Sequence, residues 1–182
     1  MTSRASVTGR ERVRLFCALR LPDEVLDAIE AWAAQQLTER ILRRANLHVT
    51  TAFLGHRPVE EIDSIVAATR EAAAHAAPIR LEPVRYRETR SVGMLVLSDE
   101  AGAAAAMAED LHRRLEALGV YRREARPWLP HLTVVRFRQR PRLDPQLPTL
   151  GPFAPSDAAV YLSRLSPSGA QYDVVESFAL GG

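Results

Sequence analysis

The sequence predicts an α+β domain with largely antiparallel sheets, and two observations carry that prediction. Runs typical of strands and of helices alternate along the chain, but strand-like runs also follow one another directly in two places, at 79–99 and 157–180. No segment is long enough to be a linker between independent domains. We therefore expect one domain over residues 13–182, preceded by a disordered arginine-rich tail at 1–12.

The first half of the chain predicts two strands, each followed by a helix. VRLFCALRL (13–21) is apolar enough for a strand buried on both faces, and Pro22 with the acids after it opens a helix over 22–37. LHVTTAFLG (47–55) is the second strand, and VEEIDSIVAATREAAAHAA (59–77) is a helix that ends before Pro78.

The second half predicts a strand pair, a helix and three further strands. IRLEPVRYRE (79–88) and SVGMLVLSD (91–99) form the pair, and the helix at 102–119 has Gly119 at its C-terminal cap. A strand at 130–138 and a proline-rich loop at 141–155 follow. The last two strands, 157–166 and 170–180, are joined by the turn SPSG.

Composition narrows the class of protein without naming it. The net charge is only +2, and the sequence contains arginine but no lysine. Because arginine can bind phosphate through two parallel hydrogen bonds, this composition permits a nucleic-acid partner but does not require one. The single cysteine, Cys17, forms no internal disulfide and sits in an apolar run, so we expect a buried core thiol.

No run approaches the roughly 18 apolar residues of a membrane helix. The start of the chain lacks the apolar core of a secretory signal, although it faintly resembles a transit sequence. We expect a cytoplasmic protein with no membrane partner.

A short pattern that occurs twice is the candidate site. NLHVTTAFLG carries His48 and Thr50, and PHLTVVRFR carries His131 and Thr133. Residues i and i+2 of a strand point to the same face, so each histidine projects beside its threonine. One copy is uninformative, because threonine is common in strands. Two copies 83 residues apart predict two similar lobes whose histidines and threonines meet in one cleft.

Displacement at phosphorus is the chemistry that such a cleft suits. Water must lose a proton on one side of the phosphorus while a leaving oxygen gains one on the other, and two histidines can do both. Threonine hydroxyls can donate hydrogen bonds to the oxygens on which charge builds up. The histidine spacings match no metal-binding motif, and one cysteine cannot build a zinc site. We expect neither a metal nor another cofactor.

These motifs resemble those of the two-histidine (2H) phosphoesterases, and within them the bacterial RNA 2′,3′-cyclic phosphodiesterases, also known as 2′-5′ RNA ligases. The likeness covers about nine tenths of the chain. Its segments are VRLFCALRLPDEV, NLHVTTAFLG, LHRRLEALGVYRREARPWLPHLTVVRF and YLSRLSPSGAQYDVVESFAL. The resemblance implies a bilobal, pseudo-two-fold α+β fold with two mainly antiparallel sheets, helices outside and a central cleft. It also implies an enzyme acting on RNA or nucleotides that end in a 2′,3′-cyclic phosphate.

The resemblance also implies roles. His48 would be the proton donor to the leaving 3′ oxygen and His131 the proton acceptor that activates water, with Thr50 and Thr133 holding the phosphate. His48 would then start protonated and His131 neutral, which predicts a bell-shaped pH profile. Arg136 matches a phosphate-binding arginine of the family. Three alternatives stay open: a 2′-5′ RNA ligase, a phosphodiesterase for 2′-5′-linked or small cyclic nucleotides, and a non-catalytic RNA- or nucleotide-binding module. We expect a monomer.

Several residues near the motifs have two interpretations. Strict alternation puts Arg136 on the face opposite His131, so it reaches the cleft only if a bulge re-aims it. We expect Phe53 to pack in the core, with stacking on a base as the alternative, and His112 to lie on a surface or half-buried helix face. Thr51 replaces the usual apolar residue of the motif and is expected to face away from the cleft. The arginine clusters are most simply solvated faces, with an RNA-attracting rim as the alternative; they lie at 40–44, 85–90, 122–126 and 136–142.

Overall fold

The computed structural model describes residues 11–38 and 40–181. Within them the elements run β1 (Arg12–Arg20), α1 (Asp23–Gln36), β2 (Arg40–Ile41), β3 (Val49–Pro58), α2 (Ile62–Ala74), β4 (Glu82–Glu88), β5 (Val92–Ser98), α3 (Ala103–Ala117), β6 (His131–Arg136), β7 (Asp157–Ser166) and β8 (Gly169–Phe178). Every predicted helix and strand is present, and the two-residue β2 is an addition. Most of the predicted tail at 1–12 lies outside the described residues, and Arg12 belongs to β1.

Two four-stranded antiparallel sheets make up the fold. One has the order β3-β1-β7-β8 and the other β2-β6-β5-β4. All strand pairs within them are antiparallel, including the predicted pairs β4–β5 and β7–β8. The predicted α+β class with two antiparallel sheets is therefore confirmed.

The internal repeat is visible as a strand–helix–strand unit. In β1–α1–β3 the two strands pair antiparallel, and in β5–α3–β6 they do the same. The second strand of each unit carries a His-x-Thr motif: His48 immediately precedes β3, and His131 begins β6. The repeat predicted from two short motifs thus extends to the elements that bear them.

One apolar core joins both sheets to the helices. Leu15, Leu19, Leu95 and Leu132 are fully or almost fully buried within it. Cys17 is buried in the same core, as predicted, and burial raises the pKa of its thiol to about 11 despite a 3.4 Å contact with the Thr69 hydroxyl. No helix of the described residues combines the length and apolar character that crossing a membrane requires.

The proline-rich segment after β6 is anchored by several polar contacts. The Trp32 indole N–H on α1 donates to the Gln146 carbonyl at 2.6 Å. The buried carboxylate of Glu88 accepts the backbone N–H groups of Arg142 and Leu143 at 2.9 and 2.8 Å. Burial alone would raise the pKa of Glu88, but these bonds and the Arg140 guanidinium lower it. This long segment is therefore fixed against the second sheet without regular secondary structure.

Candidate active site

His48 stands in an aromatic cluster on the cleft face of the first sheet. Its ring stacks on Phe16 at 4.8 Å between centroids and meets Tyr172 edge-on at 5.4 Å. Its Nε2 atom lies 3.1 Å from the Thr50 hydroxyl, as expected for side chains two apart on a strand. Stacking on rigid rings fixes the orientation of the imidazole.

Burial among these rings makes His48 harder to protonate. It lowers the pKa of the ring from 6.5 to about 4; the hydrogen bond to the Asn46 backbone opposes this, and the positive charges of His131 and Arg136 add to it. His48 is therefore neutral in the free protein at pH 7. A histidine in that state must gain a proton before it can act as a donor.

His131 is held differently, at the start of β6. Its Nδ1 atom lies 2.9 Å from the Leu129 carbonyl. A carbonyl oxygen only accepts, so Nδ1 carries the hydrogen and, in the neutral ring, Nε2 keeps a free lone pair. This tautomer is the one that a proton acceptor working through Nε2 requires.

Each motif strand has a β-bulge at the fourth motif residue. In β3 the partners Cys17–Ala52 and Ala18–Thr50 leave Thr51 unpaired, and in β6 the partners Gly93–Val135 and Met94–Thr133 leave Val134 unpaired. Both unpaired residues are buried. An extra residue reverses the alternation of faces. The residue five positions after each histidine therefore returns to the cleft.

Those two residues are Phe53 and Arg136, and both line the cleft. Arg136 reaches the cleft because the bulge at Val134 shifts the alternation of side chains by one residue. The expectation of a core position for Phe53 is wrong, since its side chain is 51% exposed and the Arg14 guanidinium lies 4.9 Å from its ring centroid. The reason is the bulge at Thr51, which a sequence pattern does not reveal.

The motif residues line a single cavity of about 330 Å³ between the two sheets. Its remaining walls come mainly from the first sheet and from the segment between β2 and β3. The lining residues are Arg14, Phe16, Leu42, Asn46, His48, Thr50, Phe53, His131, Thr133, Arg136, Ser163 and Tyr172. The structure thus brings together both histidines, both threonines and Arg136. Arg14 and Tyr172 are neighbours that the motifs did not predict.

Two side chains that are distant in sequence hold the backbone of the first motif. The Trp128 indole N–H donates to the Thr50 carbonyl at 3.0 Å, and His112 Nε2 lies 2.7 Å from the Thr51 carbonyl. His112 is only 6% exposed, so the expectation of a surface or half-buried position is wrong. The alanine-rich helix pattern gave no sign that this polar residue points at a bulge carbonyl.

Among residues 11–38 and 40–181, no three His, Cys, Asp or Glu side chains are arranged to hold a metal ion.

Comparison with known proteins agrees with this fold and these motifs. The family model of the 2′-5′ RNA ligase superfamily matches residues 21–166, which include both motifs. The chain belongs to that superfamily. The RNA 2′,3′-cyclic phosphodiesterase of Thermus thermophilus is 31% identical over 93% of this chain and 91% of the relative. The enzyme of the same name from Methanocaldococcus jannaschii is 22% identical over 91% of this chain and the whole of the relative.

Solved structures show the same architecture. E. coli LigT complexed with 3′-AMP superposes with a TM-score of 0.80 at 22% identity, over 94% of this chain and all of LigT. A Thermus thermophilus protein of known structure superposes with a TM-score of 0.77 at 31% identity, over 92% of this chain and 97% of that one. The predicted family, and with it an enzyme of the cyclic phosphodiesterase kind, is confirmed.

Proposed function

We propose that this protein is a metal-independent cyclic phosphodiesterase that opens RNA 2′,3′-cyclic phosphate ends to 2′-phosphates in the cytoplasm. The observation that carries the proposal is the meeting of both His-x-Thr pairs in one cleft, together with Arg136. The curated relatives named RNA 2′,3′-cyclic phosphodiesterase support the choice of substrate. A small ribose-linked phosphodiester also suits a cavity of about 330 Å³.

The reaction divides between the two histidines. Nε2 of His131 accepts a proton from water as the water oxygen bonds to phosphorus, in line with the bond that breaks. His48 gives a proton to the departing 3′ oxygen, which becomes a hydroxyl, and the phosphate stays on the 2′ oxygen. The Nδ1–H bond of His131 to the Leu129 carbonyl supports this division, because it leaves Nε2 as the acceptor.

The remaining groups of the site bind the oxygens of the phosphate. The hydroxyls of Thr50 and Thr133 donate to the two non-bridging oxygens, whose negative charge grows as phosphorus becomes pentacoordinate. The guanidinium of Arg136 adds a fixed positive charge that does not titrate in the working range. Each donor is worth on the order of a hundredfold in rate where it acts on the transition state.

Substrate binding favours the protonation of His48. In the free protein, burial and the charges of His131 and Arg136 keep its pKa at about 4. A phosphate anion bound beside the ring favours its protonated form, which raises the pKa of His48 and lets the ring take up a proton as substrate binds. The resulting imidazolium is a general acid placed at the leaving oxygen. A bell-shaped dependence of rate on pH follows.

The test is hydrolysis of an RNA oligonucleotide with a 2′,3′-cyclic phosphate end in the presence of EDTA. Wild type should release 2′-phosphate ends, and His48→Ala and His131→Ala should each lose roughly a hundredfold or more in rate. His56→Ala, an exposed histidine on the same strand as the first motif, is the matched control and should keep full activity. Full turnover by folded His131→Ala would overturn the mechanism, and binding without any turnover by wild type would favour the non-catalytic RNA-binding module.

Ligation uses the same groups, with the 5′-hydroxyl of a second RNA in place of water as the oxygen that bonds to phosphorus while the 3′ oxygen leaves. The superfamily description names this reaction, so the assay should include 2′,3′-cyclic phosphate ends together with 5′-hydroxyl RNA. A 2′-5′-joined product would show that the cleft also runs towards synthesis. The ratio of joined to hydrolysed ends measures which direction dominates.

A further inference from the structure

A second, larger groove opens from the catalytic cleft. It has a volume of about 950 Å³, and it shares His131, Thr50 and Phe53 with the cleft. The groove is therefore continuous with the site that we assign to the cyclic phosphate, and a chain attached to that phosphate can extend into it.

Strand register places two arginines of this groove in line with the second motif. Across the second sheet His131 pairs with Val96, which pairs with Arg85; Thr133 pairs with Met94, which pairs with Arg87. Directly paired residues share a face of a sheet. Arg85 and Arg87 therefore lie on the motif face, two strands or about 10 Å from His131 and Thr133.

These two arginines are exposed and carry positive charge that no acid in the described residues neutralises. Neither makes an ion pair or side-chain hydrogen bond with residues 11–38 or 40–181. The opposite wall of the groove is charge-balanced, because Arg123 pairs with Glu109 at 2.8 Å and Arg126 with Glu124 at 2.7 Å. The net positive wall is thus the one formed by β4.

Between the two walls the groove offers apolar and aromatic surface. Phe53 stands at its junction with the cleft, and Met94 and Trp128 lie along it. Half-exposed rings beside a basic strand are the combination that binds single-stranded nucleic acid, in which bases stack and phosphates pair with arginine. Two arginines at i and i+2 are separated by about 7 Å, a spacing comparable to that of successive phosphates in an extended strand.

We propose that this groove binds the RNA strand on the 5′ side of the cyclic phosphate, with Arg85 and Arg87 contacting its last internucleotide phosphates. The inference rests on the proposed function and deepens it. It makes the substrate an oligonucleotide rather than a cyclic mononucleotide. Recognition through phosphates and stacking is independent of sequence, so any RNA end that reaches the groove is accepted.

The experiment compares substrates of one, two, three and six nucleotides, all ending in a 2′,3′-cyclic phosphate. The proteins are wild type, Arg85→Gln/Arg87→Gln, and the control Arg113→Gln/Arg164→Gln, which removes two exposed arginines outside the groove. For wild type, kcat/KM should rise about tenfold or more from one to three nucleotides. The groove variant should lose most of that ratio, and the control should keep it.

Salt dependence gives a second readout. Single-stranded binding loses about 0.7 in log–log slope for each phosphate contact removed, so the groove variant should have a slope about 1.4 smaller on the six-nucleotide substrate. Binding of a fluorescein-labelled six-nucleotide RNA with a 2′-phosphate end, followed by anisotropy, should show the same change. This binding measurement does not require turnover.

The outcomes separate the groove from the reaction. A ratio of oligonucleotide to mononucleotide kcat/KM that is unchanged in the groove variant overturns the inference, even if both rates fall. Equal rates on all lengths by wild type do the same, while leaving the cyclic phosphodiesterase intact. If wild type hydrolyses no substrate, the proposed function fails; unchanged anisotropy and salt slope in the variant then also reject the groove.

Discussion

The indole N–H of Trp128 donates a 3.0 Å hydrogen bond to the backbone carbonyl of Thr50. Trp128 precedes the second motif by three residues, and Thr50 belongs to the first, so this bond ties one lobe to the other at the cleft. It falls beside the bulge at Thr51, where the sheet ladder is interrupted. A side chain that precedes the second motif thus anchors β3, the edge strand that carries the first motif.

Replacing Trp128 by phenylalanine should separate this bond from simple packing. Phe fills most of the indole volume but has no N–H, so the Thr50 carbonyl loses its donor. We expect about 1 kcal/mol lower stability and about tenfold lower kcat, because a shifted Thr50 hydroxyl stabilises the transition state less well, with KM nearly unchanged. Steady-state kinetics and thermal unfolding measure both quantities.

The matched control is Trp32→Phe, which makes the same chemical change elsewhere. The Trp32 N–H donates to the Gln146 carbonyl of the proline-rich segment, and Trp32 lines neither the cleft nor the groove. It should lose comparable stability and less than twofold in kcat. Equal losses of kcat in both variants would mean that Trp128 acts only through global stability.

Thr50 and Thr133 line the cleft, whereas Thr51, which follows Thr50 in the chain, does not. Thr50→Val and Thr133→Val remove hydroxyls that face the cleft, and each should lower kcat by about a hundredfold. Thr51→Val makes the same change at a side chain that is only 3% exposed, and kcat should change by less than threefold. Kinetics on one cyclic phosphate substrate tests all three. A loss in Thr51→Val as large as in Thr50→Val would contradict the assignment of faces.

The sequence was sufficient for the fold class and for the two histidine–threonine pairs. Consecutive strand runs predict antiparallel pairing, and an i, i+2 spacing places two side chains on one face wherever the strand between them is regular. The two histidine–threonine pairs keep that relation because each bulge comes after the threonine and not between it and the histidine.

Features that depend on distant contacts were not predictable in the same way. Phe53 lies in the cleft because β3 gains an extra residue opposite β1, and neither strand reveals this by itself. His112 is buried because a carbonyl 61 residues away needs a donor. Arg85 and Arg87 join the motif face only through the register of β4 on β5 and of β5 on β6.

The bulge in β6 makes a prediction at Gly93. This glycine lies opposite the bulge, and a Cβ added there would press on the Tyr86 ring and hydroxyl and on a Val135 methyl group. Gly93→Ala should therefore cost about 1–3 kcal/mol of stability and weaken substrate binding through a displaced Arg136. Thermal unfolding and KM measure the two effects. Gly151→Ala, where an added Cβ meets nothing within 4 Å, is the control.

The low pKa of His48 predicts how stability changes with pH. Its pKa is about 4 in the folded protein and about 6.5 when unfolded, so between these values the unfolded chain binds more protons. Stability should therefore fall as pH is lowered through this window, by about 2–3 kcal/mol from His48 alone. His48→Gln should lack that part of the loss, as urea unfolding at pH 7 and pH 4.5 would measure.

The same partly buried imidazole predicts how anion binding changes with pH. Sulfate keeps its charge between pH 5 and pH 7, and an anion in the cleft favours protonated His48, so wild type should bind sulfate more tightly at pH 5. The rise in melting temperature with added sulfate measures this, and the extra protection at pH 5 should be smaller in His48→Gln, in which only His131 of the two cleft histidines remains. If wild type and His48→Gln lose the same stability and gain the same sulfate protection, the partly buried imidazole does not take up the proton that the mechanism requires.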